Sequence, residues 1–119
     1  MNKGKKISGG RYIQARKKKK YEISGQKRIV KLGELKRKSK KIKGGNKKTY
    51  LLKIKEVNVS DKGKVKKLEV KNVLETPSNK FLARQNIITK GTIIDTSEGK
   101  VKVTNRPTQE GILNGIFVK

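Results

Sequence analysis

The side chains of this sequence that could do chemistry are almost all cations. Lysine and arginine number 34 against 9 carboxylates, a formal net charge of +25. Cysteine and histidine are absent, so disulfides, the usual zinc sites and histidine acid–base catalysis are excluded. The nine acids are scattered, and Asp61 and Glu98 fall in turns, where acids are common. Asp95 and Glu110 are two acids that could meet in space, but nothing in the chain order brings them together. No phosphate-cradling glycine pattern of the Walker or Rossmann type occurs. These residues predict no enzyme, no catalytic or metal-binding residue and no cofactor. They predict a polyanionic partner, because self-repulsion on this scale opposes a compact state.

The charge is unevenly placed. Residues 1–53 hold 21 basic and 2 acidic side chains, so the front half supplies charge and the back half must supply a core. Within it, Arg16, Lys17, Lys18, Lys19 and Lys20 form an unbroken run. Residues 1–27 cannot bury enough apolar surface to offset chain entropy. They are expected to be a basic RNA-binding extension, disordered when free. A solvated tail or a localisation signal is the blander reading of the same run. Ser8-Gly9-Gly10-Arg11 gives that arm a backbone able to lie close to another surface. Lysine acts as a mobile point charge, whereas arginine adds planar, bidentate recognition. The few arginines therefore stand out: Arg11, Arg16, Arg28, Arg37, Arg84 and Arg106. Tyr12 and Tyr21 could stack on bases, and Phe81 and Phe117 are expected in the core. Aromatics are too scarce for a single-strand stacking platform, which favours folded RNA read through backbone and shape.

The elements that must position these residues read as strands. Asn86–Pro107 has the densest β-branched content of the chain. It predicts a hairpin of Thr92–Thr96 and Lys100–Asn105 around Ser97-Glu98-Gly99, with Val101 and Val103 on the buried face. Ile29–Leu32 is expected as a short strand or turn and Arg37–Lys43 as an exposed strand whose lysines discourage edge pairing. Gly44-Gly45-Asn46 follows as a turn. Thr49–Ser60 reads as one strand with a bulge at Lys55-Glu56. Lys64–Glu75 is its return strand after an Asp61-Lys62-Gly63 turn, with Val65, Leu68, Val70 and Val73 as its apolar set. Lys80–Gln85 is a short strand or one helical turn, and Gly91 marks a tight bend or a close approach. Ile112–Lys119 is the last strand, with Ile112, Ile116 and Val118 on one phase. Bent, bulged strands suit a small closed barrel. The expectation is an all-β fold: a small antiparallel barrel of about six strands over residues 28–119, behind a basic extended N-terminal arm. No segment approaches the ~18 consecutive apolar residues of a membrane span, so neither a membrane nor a small-molecule substrate is expected, and the default compartment is the cytoplasm.

Several stretches carry a resemblance: Ser8-Gly9-Gly10-Arg11, Arg16–Glu22, Gly44-Gly45-Asn46-Lys47, Asn86-Ile87-Ile88-Thr89-Lys90-Gly91 with Ile93-Ile94, and Val103-Thr104 with Arg106-Pro107, Gln109 and Gly111. Together they make the chain similar to the archaeal and eukaryotic-type small-subunit ribosomal protein family numbered eight, the "eight-e" family, in its compact archaeal form. Two features depart from the family pattern. A single Arg84, followed by Gln85, stands where an arginine pair is common, and the start is reduced to Met1-Asn2-Lys3-Gly4-Lys5-Lys6. The resemblance implies a structural constituent of the small subunit in the cytoplasmic ribosome. Its partners would be small-subunit ribosomal RNA and neighbouring ribosomal proteins. Charge and resemblance together nominate Arg11, Arg16, Lys17, Lys18, Lys19, Lys20, Tyr21, Arg28, Arg37, Asn46, Lys47, Arg84, Lys90 and Arg106 as RNA-binding. A longer ribosome-assembly factor with a related C-terminal domain and a DNA-binding chromatin protein are the alternatives.

Overall fold

The computed structural model describes residues 4–13 and 16–118. The first residues of the reduced start, Met1–Lys3, and the terminal Lys119 lie outside them. The strands among the described residues are β1 (Lys31–Leu32), β2 (Lys36–Lys41), β3 (Lys47–Ile54), β4 (Glu56–Asp61), β5 (Lys64–Glu75), β6 (Ile93–Thr96), β7 (Lys100–Val103) and β8 (Asn114–Phe117), with a short α-helix, α1 (Lys80–Arg84), and single 3-10 turns at Lys20–Glu22 and Lys43–Gly45. Strands β4 to β8 close into a barrel, and β1, β3 and β2 form a separate three-stranded sheet in that order. The barrel is antiparallel at every seam but the last, where β8 runs parallel to β4.

The Asn86–Pro107 stretch is the hub. Ile88 N–H donates to Val30 O at 2.9 Å and Leu32 N–H to Asn86 O at 3.0 Å, which fixes β1 beside it. Leu51 N–H donates to Pro107 O at 3.1 Å and ties β3 to its far end. The β6–β7 hairpin is the expected one: Val101 and Val103 point inward while Lys100 and Lys102 stay in water. Buried Val30, Leu51, Val57, Val59, Val70, Ile88, Ile94 and Leu113 complete one continuous core. Each such side chain contributes about 1.5–3 kcal/mol by leaving water.

Four expectations need correcting. Thr49–Ser60 is not one bulged strand: the chain leaves the three-stranded sheet after Ile54 and enters the barrel at Glu56. The phase slip at Lys55 is the step between sheets, since Ile54 and Val57 each face the shared core. The last strand runs on the opposite phase. Ile112, Ile116 and Val118 are exposed, and Leu113, Gly115 and half-buried Phe117 turn inward. Gly115 is required there, because a Cβ would run into the Val101 side chain and stand 3.0 Å from Lys102 O. Val65 is exposed near the β4–β5 hairpin tip, beyond the reach of the core. Phe81 is also exposed, because α1 turns Leu82 and Ala83 toward the barrel instead.

The expected turns stand. Lys62 (φ 44°) and Gly63 (φ 81°) make the tight β4–β5 connection, a pair of left-handed residues whose twist suits a two-residue hairpin. Gly91, at φ 84°, makes the expected bend, with open space around it within the chain. Lys6 N–H donates to Gly10 O at 2.7 Å, so Ser8-Gly9-Gly10 closes a small loop that pairs Lys5 with Arg11.

Candidate nucleic-acid interface

The β2–β3 hairpin is the most charged element joined to the body. All six residues of β2, Lys-Arg-Lys-Ser-Lys-Lys, are exposed, as an edge strand's can be. Its register sets Lys40 opposite Lys48 and Lys41 opposite Lys47. Like charges directly opposed in a sheet destabilise it. Lys43 adds another cation in the connecting turn, which Ile42 N–H closes by donating to Asn46 O at 2.8 Å. Among the described residues no ion pair reaches any cation of β1, β2 or β3.

The described ion pairs gather elsewhere. Lys55–Glu69, Lys67–Glu56 and Lys66–Glu98 lie on the barrel wall around β4 and β5, and Arg16–Glu22 lies in the extension. The Glu69 carboxyl is held below the ordinary carboxylate range by its hydrogen bond from Lys55, and Lys55 is raised in turn by Glu69. Both side chains are exposed, so the pair adds little to stability. A groove between the two sheets is lined by Glu34, Glu56 and Glu69 together with Leu35, Ile54, Lys55, Lys67 and Leu68. Two of its three carboxylates are paired there with Lys55 and Lys67, so the groove lacks the uncompensated positive charge of the hairpin. Asp95 and Glu110 have separate surroundings: Asp95 pairs in register with Lys100, and Glu110 accepts from Asn105 Nδ2 at 3.0 Å.

The nominated residues divide by what already holds them. Arg28 lies over the Tyr50 ring, 3.9 Å from guanidinium carbon to ring centroid. Arg37 Cδ and Nε pack over Gly111, within 3.4 Å of where a Cβ would stand. Arg16 makes a two-pronged contact with Glu22 at 2.8 and 2.9 Å, and Glu22 Oε2 also accepts from Lys19 N–H at 3.0 Å. The Arg16 guanidinium is raised and the Glu22 carboxyl lowered by that pairing. Lys17, Lys18, Lys19, Lys20 and Tyr21 remain exposed around this short turn, and Arg11 is exposed beside Lys5. Asn46 and Lys47 sit at the hairpin tip. Lys90 is exposed at a turn braced by the Thr89 and Thr92 hydroxyls, 3.1 Å apart. Arg84 ends α1, and Arg106 starts a loop in which its carbonyl accepts from Gln109 and Glu110 N–H, both at 3.0 Å. These residues are not drawn into one pocket but spread over several projecting elements. Sequence reasoning left out Lys36, Lys38, Lys40, Lys41 and Lys48, which share the exposed hairpin with Arg37 and Lys47, although the basic stretch Lys36–Lys41, broken by Ser39 alone, could have signalled the first four.

The architecture defines a class: a small closed β barrel bearing a cationic hairpin and a basic extension, with no cluster of potential metal ligands among the described residues. Comparison with known proteins narrows it. The sequence model of the family described as Ribosomal protein S8e matches residues 1–118. The chain is 43% identical over 115 residues to the small ribosomal subunit protein eS8 of Nanoarchaeum equitans, covering 95% of this chain and 91% of the relative. It is 37% identical to that of Methanosarcina barkeri and 38% to that of Methanocorpusculum labreanum, covering 97% of this chain and 94% of each relative. The chain belongs to the ribosomal protein S8e family, whose members are ribosomal proteins and not enzymes.

Proposed function

We propose that this chain is a structural constituent of the small ribosomal subunit, in the cytoplasm. It binds and stabilises folded small-subunit rRNA through its lysine-rich arm and the loops and hairpin of its β body. The observation that carries this reading is the opposed pairs Lys40–Lys48 and Lys41–Lys47. A sheet that seats cation against cation is at odds with its own stability, and an RNA backbone laid along it relieves the repulsion. Release of condensed counterions from that backbone supplies the affinity. The arm, exposed along its described length apart from half-buried Glu22, orders against the RNA and contributes charge more than geometry. Arginines anchored to the body supply orientation.

Competition at one fixed salt concentration tests the reading. Labelled small-subunit rRNA bound by the full chain is challenged with unlabelled rRNA and with duplex DNA at equal nucleotide concentration. The expected result is displacement by rRNA and far weaker displacement by DNA. Equal displacement by both would leave a general polyanion binder of the chromatin type.

A further inference from the structure

We propose that Phe81 is a base-stacking residue, set to take an unpaired RNA base on its ring while Lys80 and Arg84 engage the flanking phosphates. This rests on the RNA-binding reading above and names a contact within it.

Helical geometry sorts the five residues of α1. At 3.6 residues per turn, Lys80, Phe81 and Arg84 fall on one arc and Leu82 and Ala83 on the opposite one. Burial follows that division: Leu82 and Ala83 are half-buried, Ala83 packing against the core, and the other three are exposed. Phe81 is 70% exposed, so its ring gives the core little. The helix is fixed without it. Asn79 Oδ1 accepts from Phe81 N–H at 3.0 Å at one end. At the other, Asn86 turns the chain at φ 53° and Ile87 N–H donates to Leu82 O at 3.1 Å. Ile87 and Ile88, buried next door, anchor that end in the core.

Three of the other four aromatic rings have a partner already. Tyr50 lies under Arg28, Phe117 packs against the core, and Lys6 stands 5.9 Å from the Tyr12 ring centroid. Tyr21 is exposed, but in the extension, away from any strand. Phe81 is thus the exposed ring carried by the body. Unpaired RNA bases are recognised by stacking on such rings. Cations on the same helical face favour a nucleotide over an apolar protein surface, which would have to desolvate Lys80 and Arg84.

The chain has no tryptophan, so Phe81→Trp installs a single indole reporter. The wild-type, Phe81→Leu and Phe81→Trp proteins are titrated with small-subunit rRNA transcribed in vitro, over a range of salt, with circular dichroism as the folding control. Leucine keeps the apolar volume and removes the π face. Phe81→Leu is expected to weaken binding roughly 5- to 150-fold, the span found for losing one stacked base, with an unchanged salt slope. Phe81→Trp is expected to retain affinity and to show indole quenching on binding. Wild-type affinity in Phe81→Leu would overturn the proposal and leave the RNA-binding reading standing, as would weakened binding with an unquenched indole. A wild-type chain that fails to bind the rRNA would overturn both.

Discussion

At the scale of single residues, the proposed function gives arginine and lysine different work on this surface. Arg84 and Arg106 are exposed and backed by hydrogen-bonded chain, α1 in one case and the Arg106–Glu110 turn in the other. A guanidinium on a fixed mount can hold a bidentate phosphate or guanine contact that an ammonium cannot. Arg84→Lys and Arg106→Lys are therefore expected each to reduce discrimination between the cognate rRNA fragment and a scrambled one by about 1–3 kcal/mol, on the scale of a lost bidentate base contact. Neither change should unfold the protein, and Lys18→Arg in the extension should alter little. Affinities for both RNAs at one salt concentration check this. If both arginine variants keep the full ratio, recognition lies in the arm or the Gly44-Gly45-Asn46 turn instead. Arg28 and Arg16 were nominated on charge and resemblance, yet stacking on Tyr50 and pairing with Glu22 already engage them. Such partnering depends on which rings and carboxylates the fold brings near, which composition does not reveal.

At the scale of elements, the loop between β7 and β8 matters most, since it carries Arg106 and leads into the parallel seam that closes the barrel. Asn105 organises it. Its Oδ1 accepts from Asn114 N–H at 3.0 Å, and its Nδ2 donates to Ile112 O at 2.8 Å and to Glu110 Oε2 at 3.0 Å. Asn58 Nδ2 then reaches Asn114 Oδ1 at 3.3 Å across the seam itself. Asn105→Ala removes all three contacts of one amide and is expected to cost about 1–3 kcal/mol. Chemical denaturation measures that loss, and a change below about 0.5 kcal/mol, the size of an ordinary surface substitution, would mean the loop is held by its backbone alone. Local elements were legible where one rule governed them. The Lys64–Glu75 strand has the bounds its β-branched run and flanking turns predict, and the β6–β7 hairpin has its expected inward valines. The passage from β3 to β4 was not, because a change of sheet and a bulge leave the same phase slip in a one-dimensional pattern. The inverted phase of β8 was hidden for a related reason. The inward position 115 is a glycine because Val101 leaves no room for a side chain, and a glycine carries no hydrophobic signal.

At the scale of the whole molecule, charge is segregated. Carboxylates gather in ion pairs on the β4–β5 wall and along the groove of Glu34, Glu56 and Glu69, whereas the hairpin cations have no such partners among the described residues. The molecule is also drawn out. Its radius of gyration is 19.1 Å and its extents are 59 × 34 × 29 Å, against about 14 Å for a compact chain of this length. That shape gives up burial for reach, which suits the proposed laying of charge along an extended polyanion. The central claim, that this reach serves to neutralise rRNA phosphates, is tested most directly by the salt dependence of binding to small-subunit rRNA for the full chain and for a chain lacking residues 1–27. For the full chain, log K is expected to fall linearly with log salt at roughly 0.7–0.9 per phosphate engaged. The truncated chain should bind more weakly with a slope smaller by several units, yet retain salt-dependent binding through the β2–β3 hairpin. Superimposable slopes for the two chains would contradict the claim.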